Sequence, residues 1–148
     1  MFPTSLADAL DIRPTHIIAY VGAGGKSTAI WRTANDLLRR DHRVIIAPTS
    51  HILEPILPPD STLYLAAEPD PDQLIDLLDR SPRLIMAAAR DQAVDSDPAD
   101  DFPPARPVKL RGLSPATIDQ LASRIPDVTW LIEADGSRQK PVKAPAEH

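Results

Sequence analysis

The sequence predicts an α/β fold: a three-layer, P-loop-like domain in which helices cover both faces of a mainly parallel sheet. Short apolar runs rich in β-branched residues alternate with segments of helical periodicity, as in a sheet whose strands are joined by helices. A glycine-rich loop joins the first of these runs to the first long helical segment. Aromatic residues make up 4% of the chain, so aliphatic side chains must fill the core, as they do in covered parallel sheets.

The overall composition is that of an ordinary folded domain. The chain has 148 residues, of which 43% are hydrophobic and 25% charged, so we expect residues 1–148 to form a single domain. The net charge of −5 argues against broad binding to nucleic acid or to an anionic membrane. No apolar run reaches the roughly 18 residues of a membrane helix, and we expect a cytoplasmic protein. The absence of cysteine excludes disulfides, thiolate metal sites and persulfide chemistry.

The first third of the chain predicts a strand, a helix and a second strand. Helical spacing over residues 4–12, after Thr4 or Ser5 as N-cap, predicts a short leading helix. The apolar run 16–21 predicts a buried strand, and residues 26–40 predict a helix with one apolar stripe. Residues 43–47 predict the next strand, which completes a βαβ unit.

The same alternation continues to residue 132. Residues 62–66 and 83–88 predict strands on either side of a helix at 70–80. Ser114 followed by Pro115 predicts the start of a helix that runs through Arg124, and residues 128–132 predict a further strand. The intervening segment from Arg90 to Pro107 holds five aspartates and four prolines. We therefore expect residues 91–107 to form a flexible loop without regular structure.

The glycine-rich loop predicts a phosphate site. Its glycines allow backbone N–H groups to converge on an anion, and the following helix adds its positive N-terminal partial charge. Lys26 is expected to reach terminal phosphate oxygens, and the Ser27 hydroxyl to ligate an accompanying Mg²⁺. The expected nucleotide-binding residues of this loop are Gly22, Ala23, Gly24, Gly25, Lys26, Ser27 and Thr28.

The loop departs from the two best-known glycine motifs. A standard P-loop has its first glycine where this chain has Tyr20, so the loop is a shorter variant that begins at Gly22. The dinucleotide fingerprint fits less well, because its third glycine would be Ser27 and it assigns no role to Lys26. The alternative is a structural glycine turn followed by a surface lysine.

Two acids close the last apolar strand. Glu133 and Asp135 alternate to the same face, where P-loop proteins carry an acid that supports the metal. If this strand lies beside the loop-bearing strand, one carboxylate can hold Mg²⁺ and the other can orient a nucleophile. Both are candidate metal ligands together with Ser27, and Glu133 is favoured for the metal. The alternative is a turn, since Asp135 and Gly136 form a common turn pair.

Two further segments carry candidate site residues. Thr49 follows the second strand, at the edge where open α/β sheets bind ligands, and its hydroxyl is a candidate phosphate sensor or an ordinary loop residue. Arg138 is a candidate phosphate clamp or a solvated loop charge. The four histidines show no zinc-ligand spacing. The aspartates near residue 97 lack the third ligand and the glycine of an EF-hand.

Four sequence blocks together resemble the YqeC family of selenium-dependent hydroxylase accessory proteins. The blocks are VGAGGKST at 21–28, PTSHI at 48–52, KLRGL at 109–113 and LIEADGSRQKPVKAPAEH at 131–148. The glycine loop alone also resembles that of Mur-type ATP-dependent ligases. The family resemblance implies a part in maturing molybdenum hydroxylases that carry labile selenium, with a molybdenum hydroxylase or its cofactor as partner. Family members continue past the final AEH, which implies that this chain corresponds to an N-terminal portion.

The resemblance also assigns site residues. It marks the loop glycines with Lys26 and Ser27, the residues Thr49 and His51, and the final block that begins at Glu133. In that final block it marks Asp135, Gly136, Ser137, Arg138, Lys143, Pro145, Glu147 and His148.

These observations predict a Mg²⁺-dependent nucleotide-binding protein, either an NTPase or an NTP-using enzyme of the transferase or ligase type. ATP is the first candidate nucleotide, with GTP and CTP as alternatives. In this hypothesis Lys26 stabilises the transferring phosphoryl charge, Ser27 and Glu133 hold Mg²⁺, and Asp135 positions the acceptor. One alternative is a non-catalytic module, such as a nucleotide-gated chaperone or a holder of the molybdenum cofactor. The other is a structural domain whose loop binds nothing.

Overall fold

The computed structural model describes residues 5–22, 24–91 and 108–134. Its helices are α1 (Leu6–Ala9), α2 (Lys26–Leu38), α3 (Pro71–Arg80) and α4 (Pro115–Arg124). Its strands are β1 (Ile17–Tyr20), β2 (Val44–Pro48), β3 (Ile52–Leu53), β4 (Ser61–Leu65), β5 (Arg83–Ala87), β6 (Ala89–Asp91), β7 (Lys109–Arg111) and β8 (Thr129–Glu133). None of the helices in these ranges combines the length and the apolar run that a bilayer crossing requires.

Five strands form a parallel sheet in the order β1-β8-β2-β5-β4. Every neighbouring pair is parallel, so all five carboxyl ends lie at one edge. The strand that ends in Glu133 lies between β1 and β2, with Glu133 in register with Tyr20 on one side and Pro48 on the other. The crossover through α2 therefore passes over β8 before it reaches β2. This arrangement confirms the predicted fold class.

Helices cover the two faces of the sheet in two groups. On one face α1 and α2 pack against β-branched and aliphatic side chains, with Ile30, Ala34 and Leu37 buried against Val44, Ile46 and Leu131. On the other face α3 and α4 contribute Leu74, Leu78, Ile118 and Leu121, which pack with Ile45, Leu84 and Trp130. The core is thus mainly aliphatic, as the low aromatic content predicts, with Trp130 as a buried aromatic side chain on the α3 and α4 face.

Helix starts are capped by side chains except at α2. Ser5, Asp70 and Ser114 accept hydrogen bonds from first-turn N–H groups of α1, α3 and α4 at 3.2, 3.0 and 3.1 Å. Helix α2 instead follows Gly25, which has a left-handed backbone (φ 76°) and supplies no side-chain cap. The first N–H groups of α2 are consequently available to another acceptor.

Helix α2 is anchored at its centre by a buried arginine. The Arg83 side chain is 3% exposed, and its guanidinium donates to Asn35 Oδ1 at 2.7 Å and to Asp60 Oδ2 at 3.2 Å. It also stacks 5.2 Å from the centroid of the Trp31 ring. Burial lowers the pKa of Arg83, which the charge of Asp60 partly offsets. These contacts hold α2, and with it the loop that precedes the helix, against β5.

The structure corrects the sequence-based prediction for residues 90–107. Arg90 and Asp91 belong to β6, in a three-stranded antiparallel sheet of order β3-β7-β6, whereas residues 92–107 lie outside the described ranges. Strands at 52–53 and 109–111 were also missed. These strands have two or three residues each and form through pairing between distant segments, so local periodicity cannot reveal them.

The leading helix is shorter than predicted. It spans Leu6–Ala9 rather than residues 4–12, and the chain takes a positive φ of 46° at Asp11. Such a backbone cannot continue a right-handed helix. The bounds of the remaining predicted helices and strands of the main sheet are confirmed to within two residues at each end. The prediction that β1 is buried is wrong, because β1 lies at the end of the strand order and its residues are exposed or half-buried.

Candidate functional site

The glycine loop connects the carboxyl end of β1 to the start of α2. Gly22 has φ 127° and Gly25 has φ 76°, conformations that disfavour any side chain, so these two glycines are needed for the path of the loop. A Cβ added at Gly22, Gly24 or Gly25 would meet no atom within 4 Å. The space beside the loop is therefore open, and the uncapped N–H groups of α2 border it.

Lys26 folds back over its own loop. Its Nζ donates to the Gly22 carbonyl oxygen at 2.7 Å, which draws the ammonium group across the turn. The ammonium group therefore lies at the N-terminal end of α2. The cation and the helix N-terminus both contribute positive potential to this small region.

The structure brings Ser27 and Glu133 together from distant parts of the chain. The Ser27 hydroxyl donates to the Glu133 carboxylate, at 3.3 Å from Oε2 and 3.4 Å from Oε1. The sheet order explains this contact, because β8 lies directly beside β1 and both strands end at the same edge. A hydroxyl and a carboxylate are hard oxygen donors of the kind Mg²⁺ prefers. The strand that ends in Glu133 thus lies beside the loop-bearing strand, which is the condition on which the predicted metal site depends.

Tyr20 occupies the position of the first glycine in a standard P-loop, and it is a structural residue here. It is the last residue of β1, and its hydroxyl donates to Thr33 Oγ1 on α2 at 2.8 Å. Burial raises the pKa of Tyr20, and the hydrogen bond with Thr33 offsets part of that rise. The tyrosine ties the end of the strand to the helix, so the loop that remains for a ligand begins at Gly22.

Thr49 lies at the same edge, next to the acidic strand. Its backbone N–H donates to the Glu133 carbonyl oxygen at 3.1 Å, and the residue is half-buried. The following Ser50 has a buried Oγ that contacts no hydrogen-bond partner in the described part of the chain. Thr49 therefore lies at the carboxyl edge of the sheet, where the sequence placed it, and its backbone N–H is bonded to the strand that ends in Glu133.

Gly112 is a residue of the site that sequence reasoning missed. A Cβ there would lie 2.5 Å from the Thr49 carbonyl carbon, 2.6 Å from Pro48 O and 2.6 Å from Ser50 N. The next residue, Leu113, donates its N–H to Pro48 O at 2.9 Å. Only glycine permits this approach of two backbones. The signal was present in the sequence as the KLRGL block, but nothing local showed what the glycine touches.

A second missed contact lies on the small sheet. His51 Nε2 lies 2.7 Å from Asp91 Oδ2, and Glu54 forms a two-pronged pair with Arg90 at 2.6 and 2.7 Å. The bond with Arg90 is the main cause of the lowered pKa of Glu54. Because β3 directly follows the end of β2 and β6 directly follows the end of β5, these polar pairs stand beyond the carboxyl edge of the main sheet.

The structure describes part of the predicted residue set. Gly22, Gly24, Gly25, Lys26, Ser27, Thr28, Thr49 and Glu133 are described, and the Ser27 and Glu133 side chains are brought into contact. Ala23, Asp135 and Arg138, together with Gly136, Ser137, Lys143, Pro145, Glu147 and His148, lie outside the described residues. Within the described ranges no three His, Cys, Asp or Glu side chains form a metal-binding group. Any metal at the described site must therefore share its shell with a hydroxyl, a ligand or water.

Comparisons with known proteins agree with the sequence resemblance. The sequence model of the family described as "YqeC protein" matches residues 18–148. The uncharacterized protein YqeC of Escherichia coli (strain K12) is 34% identical over 136 residues, which cover 92% of this chain and 46% of that protein. The chain thus spans less than half the length of this relative. No solved structure shows a significant match.

The family match begins within β1, the strand that precedes the glycine loop. It also includes β8, the strand that ends in Glu133. With this coverage, and with a relative that shares 34% of the aligned residues, the chain belongs to the YqeC family.

Proposed function

We propose that this chain binds a Mg²⁺–nucleoside triphosphate at its glycine loop and acts as an NTPase or NTP-using enzyme. The observation that carries the proposal is the contact of the Ser27 hydroxyl with both carboxylate oxygens of Glu133, at 3.3 and 3.4 Å. A glycine turn with only a structural purpose does not need an acid from a neighbouring strand beside its first helical hydroxyl.

The phosphate half of the proposal depends on the loop. The open space beside Gly22, Gly24 and Gly25 admits an anion, and the uncapped start of α2 offers N–H donors to it. Lys26 then exchanges its bond with the Gly22 carbonyl for a phosphate oxygen, which is the stronger acceptor because it is charged. The triphosphate is favoured over a single phosphate because Lys26 and the metal ligand Ser27 are adjacent residues, so a cation and a metal ion can act on one chain of phosphates.

The metal half depends on Ser27 and Glu133. Mg²⁺ would be held by the serine hydroxyl and by the carboxylate, directly or through water, with phosphate oxygens completing the shell. The bound metal supplies charge neutralisation of the phosphates. Glu133 is half-buried between β1 and β2, so its position is set by strand pairing on both sides and needs little reorganisation.

The proposal assigns the reaction to two residues. Lys26 stabilises the charge that develops on the transferring phosphoryl group. Asp135 positions the acceptor, water in an NTPase or a substrate group in a transferase or ligase. Arg138 adds a phosphate contact. We further propose, from membership of the family, that the reaction assists maturation of selenium-dependent molybdenum hydroxylases.

The test is a titration of ATP, GTP and CTP, each with and without Mg²⁺, against wild type and Lys26→Ala. Loss of a charge-assisted hydrogen bond is worth about 1.5–3 kcal/mol, so the variant should bind at least about tenfold more weakly. Lys109→Ala, which removes an exposed lysine of β7, is the matched control and should bind as wild type does.

Each outcome has a definite meaning. Equal affinity of wild type and Lys26→Ala would refute the assigned site. Binding that depends on Lys26 without release of phosphate, even with a full-length protein and Mg²⁺, would favour the non-catalytic chaperone or cofactor-holding module instead. No binding of any of the three nucleotides would support a purely structural loop.

A further inference from the structure

Strand β1 lies at an open edge of the parallel sheet. Within the described residues it pairs with β8 alone. The N–H of Trp130 donates to His16 O at 2.9 Å, and the N–H of Ala134 donates to Tyr20 O at 3.1 Å. Since backbone groups of successive residues in a strand point to opposite sides, those of Ile17 and Ala19 point away from β8. Among the residues that the structure describes, no strand pairs with these groups, and they form an open hydrogen-bonding edge.

One face of β1 is also left uncovered by the described part of the chain. Ile18 packs against the cluster beneath α2, whereas Ile17 is in register with Trp130 and therefore faces the side that α3 and α4 occupy. No described helix reaches β1 on that side: Ile17 is 49% exposed, and Val21, just beyond the strand, is 68% exposed. Apolar side chains beside an unpaired strand edge form a surface suited to a partner.

The handedness of the sheet connections indicates what fits this surface. The connection from β1 through α2 to β2 runs in one direction across the sheet and places α2 on one face. The connections through α3 and α4 run in the opposite direction and place both helices on the other face. Reversing both direction and face preserves the hand, so all three connections have the same hand. Crossovers between parallel strands are right-handed in nearly all proteins.

A connection that left β8 and continued past β1 would run in the direction of the α3 and α4 connections. Its helix would consequently lie on the α3 and α4 face, over Ile17 and Val21. Its strand would lie parallel to β1, against the free backbone groups of Ile17 and Ala19. The open edge and the uncovered face are thus the two surfaces that one further helix–strand unit would bury.

We propose that β1 is the docking surface for a helix–strand unit from the portion of the longer family proteins that this chain does not match. The chain covers 46% of the E. coli relative, so that protein has ample sequence for such a unit. The docked strand must carry apolar side chains on the sheet face that it shares with Ile17. The docked helix must present an apolar stripe to that face.

The docked strand would also complete the surroundings of the glycine loop. Parallel strands end at one edge, so its carboxyl end would lie beside Gly22, on the side of the loop opposite Glu133. The inference does not rest on nucleotide binding, because it follows from strand pairing and exposure alone.

Residue-resolved amide hydrogen exchange tests the proposal. In the 148-residue chain, the amide of Ala19 should exchange about 100-fold faster than those of Ile18 and Tyr20. In the full-length E. coli relative, the amide aligned with Ala19 should be protected to the same degree as its neighbours. Rapid exchange there would overturn the proposal. Protection of Ala19 in this chain that rises with protein concentration would also overturn it, in favour of a second copy as occupant.

A substitution gives an independent measurement. Ala19→Lys should shift the Tm of the 148-residue chain by less than about 2 °C, whereas lysine at the aligned position of the full-length relative should lower Tm by more than about 5 °C. Leu53→Lys, at an apolar side chain that is 53% exposed on the small sheet, is the matched control. Equal shifts for the Ala19 position in both proteins would contradict docking at β1.

Discussion

The hydroxyl of Ser27 lies 3.3 Å from Oε2 of Glu133, although the two residues are separated by 106 positions in the chain. Their contact follows from the insertion of β8 between β1 and β2, which places the acidic strand end beside the glycine loop. The local sequence around Ser27 or Glu133 does not indicate this contact.

The first prediction concerns the metal. If Ser27 and Glu133 share Mg²⁺, then Mg²⁺ should raise nucleotide affinity about tenfold or more in wild type and less than about twofold in Ser27→Ala or Glu133→Gln. Titration with and without Mg²⁺ measures this. Ser123→Ala and Glu68→Gln, at exposed positions elsewhere, are the controls. An unchanged Mg²⁺ effect in both site variants would exclude them as ligands.

The second prediction separates binding from turnover. Asp135→Asn keeps the size of the side chain and removes its charge. If Asp135 positions the acceptor, Asp135→Asn should lower phosphate release about 100-fold or more, while nucleotide affinity changes less than about threefold. Steady-state phosphate release and equilibrium titration on the same preparation give both values. A parallel loss of affinity would assign Asp135 to metal or nucleotide binding.

The third prediction concerns backbone packing at Gly112. Gly112→Ala places a Cβ 2.5 Å from the Thr49 carbonyl carbon, so the two segments must separate. We expect a loss of about 1–3 kcal/mol in the free energy of unfolding, measured by urea denaturation. Gly24→Ala adds a Cβ that meets no atom within 4 Å and should change stability by less than about 1 kcal/mol. Similar losses for both variants would disprove the steric argument.

The fourth prediction concerns alkaline pH. Burial holds the pKa of the Tyr20 phenol above its ordinary value of 10.0 in the folded chain, although the hydrogen bond with Thr33 lowers it in part. The unfolded chain therefore releases this proton first. The associated stability is fully present below the ordinary pKa of tyrosine, and it is lost as pH rises through the folded-state pKa.

Tyr20→Phe removes this dependence together with the hydrogen bond to Thr33. The variant should lose about 1 kcal/mol of unfolding free energy near neutral pH, and its deficit relative to wild type should shrink as the pH rises above about 10. Urea unfolding of both proteins across this range checks the difference. A deficit that stays constant with pH would show that Tyr20 contributes no proton linkage.

Local sequence was sufficient for the elements that position the glycine loop. A β-branched apolar run, glycines and a long amphipathic segment follow one another without interruption, so the order strand, loop and helix is readable from residues 16–40. Ser114 with Pro115 likewise marked a helix start that the structure confirms. These signals are local because caps and periodicity act within one or two turns.

The small antiparallel sheet was not readable in the same way. Its strands are two or three residues long and their partners are far apart in the chain, so they have no periodicity of their own. The close approach of Gly112 to Thr49 and the pairing of His51 with Asp91 are consequences of that long-range pairing.

The sequence by itself determined the α/β class, the glycine loop and the acids that end the last apolar run, because composition and periodicity act along the chain. Only the tertiary structure decided that Glu133 stands beside Ser27 and that Tyr20 belongs to the core under α2 rather than to the loop. Strand order decides both, since the pairing of β1 with β8 is a choice among distant segments that no local signal encodes.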